Sequence, residues 1–227
     1  MQGASLARWL GHNGRNFMVE PRPGNRRPHN RALAVQLSGP GKRMALIQPS
    51  DRDFGRTYSR SQPHITEFTL ELDNDWIRAQ ANPGAGHGSH LSISAGGLAI
   101  QLLVAQDSLH AFVHWPGNLT VSLGKIPLQA ETSYPVRIFC KERGEYRVEI
   151  GGDQAMARSV RAGDRVETRA FSGATANQPY SEARVYAALI NPEWDCIPEL
   201  RLETNTSEQH HEGRAFLDDI RFVVPPE

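Results

Sequence analysis

The chain has 227 residues, with 25 Lys and Arg against 25 Asp and Glu, so its formal net charge is zero. This balance argues against general nucleic-acid binding, which depends on a basic surface. No apolar run approaches the ~20 residues that a membrane-spanning helix needs. The length suits one large domain with a sizeable core.

The first 31 residues are rich in Arg, Asn, Gly and Pro, and three prolines fall within residues 21–28. Proline excludes regular helix and central strand, because it lacks an N–H group and its ring clashes with the preceding turn. We therefore expect residues 1–31 to form an irregular tether or wrap, with at most one helical turn at residues 6–10.

From Ala32 onward the chain consists of short runs in which apolar and polar residues alternate, separated by turns that contain Gly, Asn or Pro. Turn signals every ~8–12 residues indicate an antiparallel β-sandwich or barrel. We expect a single all-β domain over residues 32–227, with no amphipathic helix after the N-terminus. The predicted core includes Phe68, Leu70, Leu72, Val113, Val136, Ile138, Val148 and Ile150.

Three segments carry a resemblance to a known superfamily: residues 32–37, the hairpin at residues 134–152, and the last strand at residues 216–222. They resemble jelly-roll domains of the concanavalin A-like and laminin-G-like type. The last strand is also similar to the closing strand of calcium-binding carbohydrate-binding modules. The resemblance covers residues 32–224 and implies an antiparallel jelly-roll β-sandwich, a glycan or polysaccharide partner, and an extracellular or periplasmic location. The first 31 residues show no apolar core of a signal peptide.

Asp218 and Asp219 interrupt the otherwise apolar closing run at residues 215–224. A carboxylate in a buried strand is costly unless it is paired, hydrogen-bonded or bound to a cation. In the modules that the strand resembles, an Asp at this place helps to hold a structural calcium ion, which implies Asp218 and Asp219 as ligands. The alternative is that Asp219 pairs with an Arg while Asp218 accepts backbone or hydroxyl hydrogen bonds.

Glu71, Asp73 and Asp75 would lie ~7 Å apart on one face if the strand continued through them. Their spacing is similar to the Glu-x-Asp-x-Glu strand of laminarinase- and lichenase-type jelly-roll glucanases. That resemblance implies Glu71 as nucleophile, Asp73 as orienting partner and Asp75 as acid. The chain departs from the pattern because Asp75 is one methylene short and Asn74 replaces an apolar residue. In the alternative interpretation, residues 73–75 are the turn that ends the strand.

Residues 109–115 alternate between an apolar face and a face that carries His110, Phe112 and His114. An aromatic ring beside imidazoles suits stacking on a sugar while donating hydrogen bonds to its hydroxyls. We expect this face to bind the ligand, with Arg137, Glu71 and Asp73 close by. The alternative is a sheet face without a ligand.

Two cysteines, Cys140 and Cys196, are too few for a disulfide framework or a structural zinc site. We expect two buried thiols, with a single disulfide as the alternative. The resulting hypothesis is a non-catalytic glycan-binding or adhesion module. A glycoside hydrolase or polysaccharide lyase on the same scaffold, and a structural protein-interaction domain, are the alternatives.

Overall fold

The fold was described from a computed structural model of the protein. The described residues are 7–12, 17–21, 31–38, 41–49, 63–81, 90–96, 100–105, 107–115, 119–142, 145–151, 156–161, 165–170, 181–184, 198–206 and 210–223. They contain sixteen strands and one helix: β1 (Ala7–His12), β2 (Phe17–Pro21), β3 (Arg31–Ser38), β4 (Gly41–Pro49), β5 (His64–Leu72), α1 (Asn74–Ala81), β6 (His90–Ala95), β7 (Ile100–Ala105), β8 (Ser108–Trp115), β9 (Leu119–Pro127), β10 (Tyr134–Glu142), β11 (Glu145–Ile150), β12 (Met156–Arg161), β13 (Arg165–Ala170), β14 (Ser181–Arg184), β15 (Leu200–Thr206) and β16 (His210–Val223).

In the described part of the chain, the strands pair antiparallel in two sheets. The nine-stranded sheet has the order β1-β4-β15-β6-β7-β8-β9-β13-β14, and the seven-stranded sheet has the order β12-β11-β10-β5-β16-β3-β2. The inward-facing residues of both sheets form one hydrophobic core. The all-β antiparallel sandwich predicted from the sequence is therefore confirmed.

Alternation along the strands positions this core. From Thr66 to Leu72 in β5, for example, every second residue is buried, because successive side chains of a strand point to opposite faces. Burying a Leu, Val or Phe side chain contributes about 1.5–3 kcal/mol. All eight predicted core residues are at most 2% exposed, which confirms the set Phe68, Leu70, Leu72, Val113, Val136, Ile138, Val148 and Ile150.

Two strands lie in the segment for which the sequence predicted an irregular tether. β1 pairs with β4, and β2 pairs with β3. The helical turn expected at residues 6–10 is wrong, since Ala7–His12 is extended. Pro21 is the last residue of β2, where a missing N–H group does not break a ladder. The division of the chain at residue 32 stays a prediction.

The helix α1 was not expected, because eight residues are too few to display a clear helical period. Asp73 caps it, since the carboxylate Oδ1 accepts the N–H of Trp76 at 2.7 Å. Trp76 is 1% exposed and joins the core. A Cβ on Gly213 of β16 would lie 2.0 Å from the Trp76 nitrogen, so only glycine lets the helix approach.

Cys140 is a buried thiol in β10. Because Cys140 carries a thiol, the structure does not contain the disulfide that was the alternative. Cys196 itself lies outside the described residues. In the described part of the chain, no helix is long and apolar enough to cross a membrane.

Candidate functional site

The strand β8 places an aromatic pair on the outside of the nine-stranded sheet. Leu109, Ala111 and Val113 point into the core, whereas His110 and Phe112 are half-buried on the opposite side. The His110 and Phe112 ring centroids are 3.9 Å apart, with an angle of 39° between the ring planes. His114 lies in the same strand, but its side chain is outside the described residues.

Residues directly opposite one another in antiparallel strands share a face, so the register extends this surface across five strands. We call it the His110 face; from β15 to β9 it carries Arg201, Glu203, Ser92, Ser94, Gln101, Leu103, His110, Phe112, Ser122 and Lys125.

Polar contacts order the middle of the His110 face. The Ser122 hydroxyl lies 2.8 Å from Nε2 of His110, and Nε2 of Gln101 donates to the Ser92 hydroxyl at 2.5 Å. The Arg201 guanidinium lies 3.6 Å from the Glu203 carboxylate. The face therefore presents hydroxyl, amide and charged groups beside an aromatic ring.

A β-bulge in β9 brings two of these side chains to the face. Ala111 pairs with Gly124 while Phe112 pairs with Ser122, so Leu123 is an extra residue. Gly124 has a φ of 139°, a conformation that favours glycine. In a regular strand Ser122 and Lys125 would point to opposite sides, because they are three residues apart. The bulge places both beside His110 and Phe112.

The charge state of His110 follows from its surroundings. Burial lowers the pKa of His110 below its usual value of 6.5, and the nearby Lys125 ammonium lowers it further. Both effects disfavour the charged imidazolium. Lys125 itself is exposed, and the ion pairs found among the described residues do not include it. Near neutral pH the positive charge here belongs to Lys125.

The structure separates the three acidic residues of the glucanase-like pattern. β5 ends at Leu72, Asp73 caps α1, and Asp75 lies in the first turn of α1. Asp73 Oδ1 also accepts the Arg214 N–H at 3.0 Å, which ties the helix start to β16. The interpretation in which Glu71, Asp73 and Asp75 share a strand face is wrong, because Asp73 forms a helix cap in place of a continuing strand. The alternative was right that the strand ends here.

Arg137 lies on the other side of the sandwich from His110. It projects outward from β10 of the seven-stranded sheet, where its guanidinium lies 2.9 Å from Glu67 and 3.3 Å from Glu149. Glu71 is also on that sheet, 3.5 Å from the Ser133 hydroxyl. The expectation that Arg137, Glu71 and Asp73 adjoin the His110 face is therefore wrong, because strand periodicity does not reveal to which sheet a strand belongs.

We call the outer surface around Arg137 the Phe139 face; it carries Glu67, Arg137, Phe139, Arg147, Glu149 and Arg221. The guanidinium carbons of Arg147 and Arg137 lie 3.8 Å and 5.0 Å from the centroid of the Phe139 ring. Phe139 is only 2% exposed although it points away from the core. The two arginines thus contribute to its cover.

Asp218 and Asp219 form a second β-bulge. Asp218 pairs with Thr69 and Arg221 with Glu67, so β16 has one extra residue here. Asp219 has a φ of 52°, which Asp tolerates better than most residues. Oδ1 of Asp218 accepts the Asp219 N–H at 2.8 Å, and Oδ1 of Asp219 lies 3.9 Å from Arg221.

These contacts match the alternative interpretation, in which Asp218 accepts a backbone hydrogen bond and Asp219 pairs with an Arg without a cation. Among the described residues, no group of three or more His, Cys, Asp or Glu side chains is placed to hold a metal ion. Calcium at Asp218 and Asp219 stays a prediction, and backbone carbonyls would have to supply most of its ~6–8 oxygen ligands.

Sequence reasoning missed Ser122, Lys125 and Gln101 as members of the face with His110 and Phe112. One signal was available, since an isolated glycine such as Gly124 within a strand pattern indicates a bulge. The pairing register, which no single segment encodes, was needed to bring Gln101 to the same surface.

No protein-family model matches the chain, and no curated protein matches it in sequence. Among solved structures, the chain is similar to a conserved carbohydrate esterase from the Shiga toxin-encoding bacteriophage phi24B, at 9% identity and a TM-score of 0.52 over 96% of this chain and 90% of the other. It is also similar to the binding domain of botulinum neurotoxin DC, seen in complex with rat synaptotagmin II, at 9% identity and a TM-score of 0.50. That match covers 97% of this chain but 44% of the neurotoxin domain, so the chain spans less than half of it. At these identities the likeness shows the all-β sandwich fold alone.

Proposed function

We propose that the protein is a non-catalytic glycan-binding or adhesion module whose ligand lies on the His110 face. The observation that carries the proposal is the His110 and Phe112 ring pair, 3.9 Å apart and half-buried on the outside of the sheet. An extracellular or periplasmic location belongs to the same proposal.

The chemistry of the face matches that of a sugar. A pyranose ring has an apolar C–H face that stacks on an aromatic ring, and its hydroxyls act as hydrogen-bond donors and acceptors. Phe112 offers the ring, while Ser122, Gln101 and Arg201 offer polar groups to either side. Antiparallel strands lie ~4.8 Å apart, so the distance from β7 to β9 is about 10 Å, enough for one or two sugar rings. On β6 the Ser92 and Ser94 side chains are buried.

The structural neighbours are compatible with this proposal. One is named as a carbohydrate esterase and another as a toxin binding domain, so folds of this kind occur in proteins that act on sugars or bind partners. Because fold does not determine function, the proposal rests on the side chains of the face. The enzymatic alternative has weaker support, since Asp73 and Asp75 are not on the strand that carries Glu71.

A glycan array followed by titration of any ligand found would test the proposal. Phe112→Ala should weaken binding by ~1–3 kcal/mol through lost stacking, by analogy with base–aromatic stacking. Thr69→Ala, on the outer side of the seven-stranded sheet, is a matched control that should keep full affinity.

A reducing-sugar assay on each glycan that binds should detect no turnover. Turnover that disappears in Glu71→Gln would favour the hydrolase instead. A Phe112→Ala variant with unchanged affinity for every glycan would remove the His110 face as the binding site.

A further inference from the structure

The position of Lys125 indicates which chemical class of glycan the His110 face would bind. Lys125 is directly opposite His110 in the register of β8 and β9, and it is exposed. It owes its place on this face to the bulge at Gly124, which has a backbone conformation that favours glycine. A cation held beside a stacking ring by a special backbone conformation is suited to an anionic group on the ligand.

We propose that the ligand of the His110 face is an acidic glycan, whose carboxylate or sulfate is bound by Lys125 while an adjoining sugar ring stacks on Phe112. This inference rests on the proposed function and narrows it. An ammonium donates charge-assisted hydrogen bonds, which are stronger than those between neutral groups.

The distribution of charge on the two outer faces supports the assignment. On the Phe139 face, Arg137, Arg147 and Arg221 each lie within 3.9 Å of a carboxylate. On the His110 face, Arg201 lies 3.6 Å from Glu203. Lys125 enters none of the ion pairs of the described residues, so an external anion would not have to displace a carboxylate of these residues.

His110 gives the same site a dependence on pH. Among the described residues, the side chains facing it are Lys125 and Ser122 from β9, Leu103 from β7, and Phe112 from its own strand; of these only Lys125 is charged. Burial and Lys125 lower the pKa of His110 in the unliganded protein. An anion at Lys125 offsets the lysine charge and raises that pKa again, so binding takes up a proton. Affinity for an acidic glycan should therefore rise as the pH falls from neutral toward the lowered pKa.

The test compares polygalacturonate with the same polymer after reduction of its carboxyl groups, and dextran sulfate with dextran. The wild type should bind each acidic polymer about tenfold more tightly than its neutral counterpart, the effect of one charge-assisted contact. Lys125→Met should abolish that preference, so that the acidic and neutral polymers bind this variant with similar affinity. Arg78→Met is the control, because it removes an exposed cation from α1. The comparison with polygalacturonate tests for recognition of a carboxylate, and the comparison with dextran sulfate tests for recognition of a sulfate.

Equal binding of acidic and neutral polymers, unchanged in Lys125→Met, would overturn the inference and leave the proposed function standing. An equal loss in Arg78→Met and Lys125→Met would also overturn it, as an effect of net charge only. Binding to no glycan at all would overturn the proposed function itself. As a second readout, the affinity of the wild type for the acidic polymer should rise between pH 7.5 and pH 5.5, and His110→Asn should flatten that rise.

Discussion

The two outer faces of the sandwich both carry aromatic and charged side chains, but they differ in whether the positive charges have carboxylate partners on the same face. On the Phe139 face, Arg137 contacts Glu67 and Glu149, and Arg147 also contacts Glu149. On the His110 face, the aromatic ring of Phe112 is only half-buried, and Lys125 enters none of the ion pairs of the described residues.

The difference comes from register. Glu149, Arg137, Glu67 and Arg221 stand in one row across four neighbouring strands, so each charge meets an opposite charge next to it. The corresponding row on the His110 face contains Leu103, His110 and Lys125, and no ion pair of the described residues joins a carboxylate to the lysine. A cluster of charged and aromatic residues is therefore structural where its charges pair with one another. It is a candidate binding site where a charged side chain has to find its partner in a ligand.

Exchanging an aromatic ring for alanine on each face would test this comparison most strongly. Phe139→Ala should lower the free energy of unfolding by about 3–5 kcal/mol, because it empties a nearly fully buried position. Phe112→Ala should lower it by less, about 1–2 kcal/mol, because the side chain is only half-buried. Urea denaturation of both variants measures the two values. Equal losses would mean that the two faces do not differ in this way.

The core and the fold class could be predicted from the sequence because both depend on local alternation. In β5, for instance, the buried positions Phe68, Leu70 and Leu72 follow from the period of two within one strand. The strands β1 and β2 were missed, since extended pairing with β4 and β3 overrides weak local preference near proline and glycine.

The candidate site could be predicted only in part. His110 and Phe112 are on one strand, so alternation was enough to place them together. Arg137 was assigned to the wrong side because the sheet to which β10 belongs depends on long-range pairing. Lys125 was missed because a bulge shifts side-chain alternation by one residue. Whether Asp73 continued the strand or ended it stayed open, because its capping bond to Trp76 is invisible to periodicity.

The bulge provides the next test. Gly124→Ala should lower the free energy of unfolding by roughly 1–3 kcal/mol, because alanine is strained at a φ of 139°. It should also weaken glycan binding, since Ser122 and Lys125 reach the His110 face only through the bulge. Gly96→Ala is the matched control: its φ is 62° in the turn after β6, so it should lose stability but keep affinity. A Gly124→Ala variant with full affinity would show that the bulge does not shape the site.

A smaller effect is expected from Arg137. Arg137→Met should change the free energy of unfolding by about 0–1 kcal/mol, because its ion pairs are partly exposed and screened by solvent. Glycan affinity should not change, because β10 belongs to the sheet opposite the His110 face. Thermal unfolding and the titration used for Phe112→Ala measure both quantities. A loss of affinity in Arg137→Met would place the ligand on the Phe139 face and reverse the comparison.

The smallest effect is expected from removing calcium. Asp218 and Asp219 already have an internal arrangement: Oδ1 of Asp218 accepts the Asp219 N–H, and Asp219 lies 3.9 Å from Arg221. Because the contact with Arg221 partly offsets the Asp219 charge without a cation, a chelator should leave the Tm unchanged. If an ion instead stabilises the bulge, the chelator should lower the Tm and excess calcium should restore it by mass action. That result, together with metal found by elemental analysis, would establish the calcium site and would mean that the charges of the seven-stranded sheet are not balanced internally.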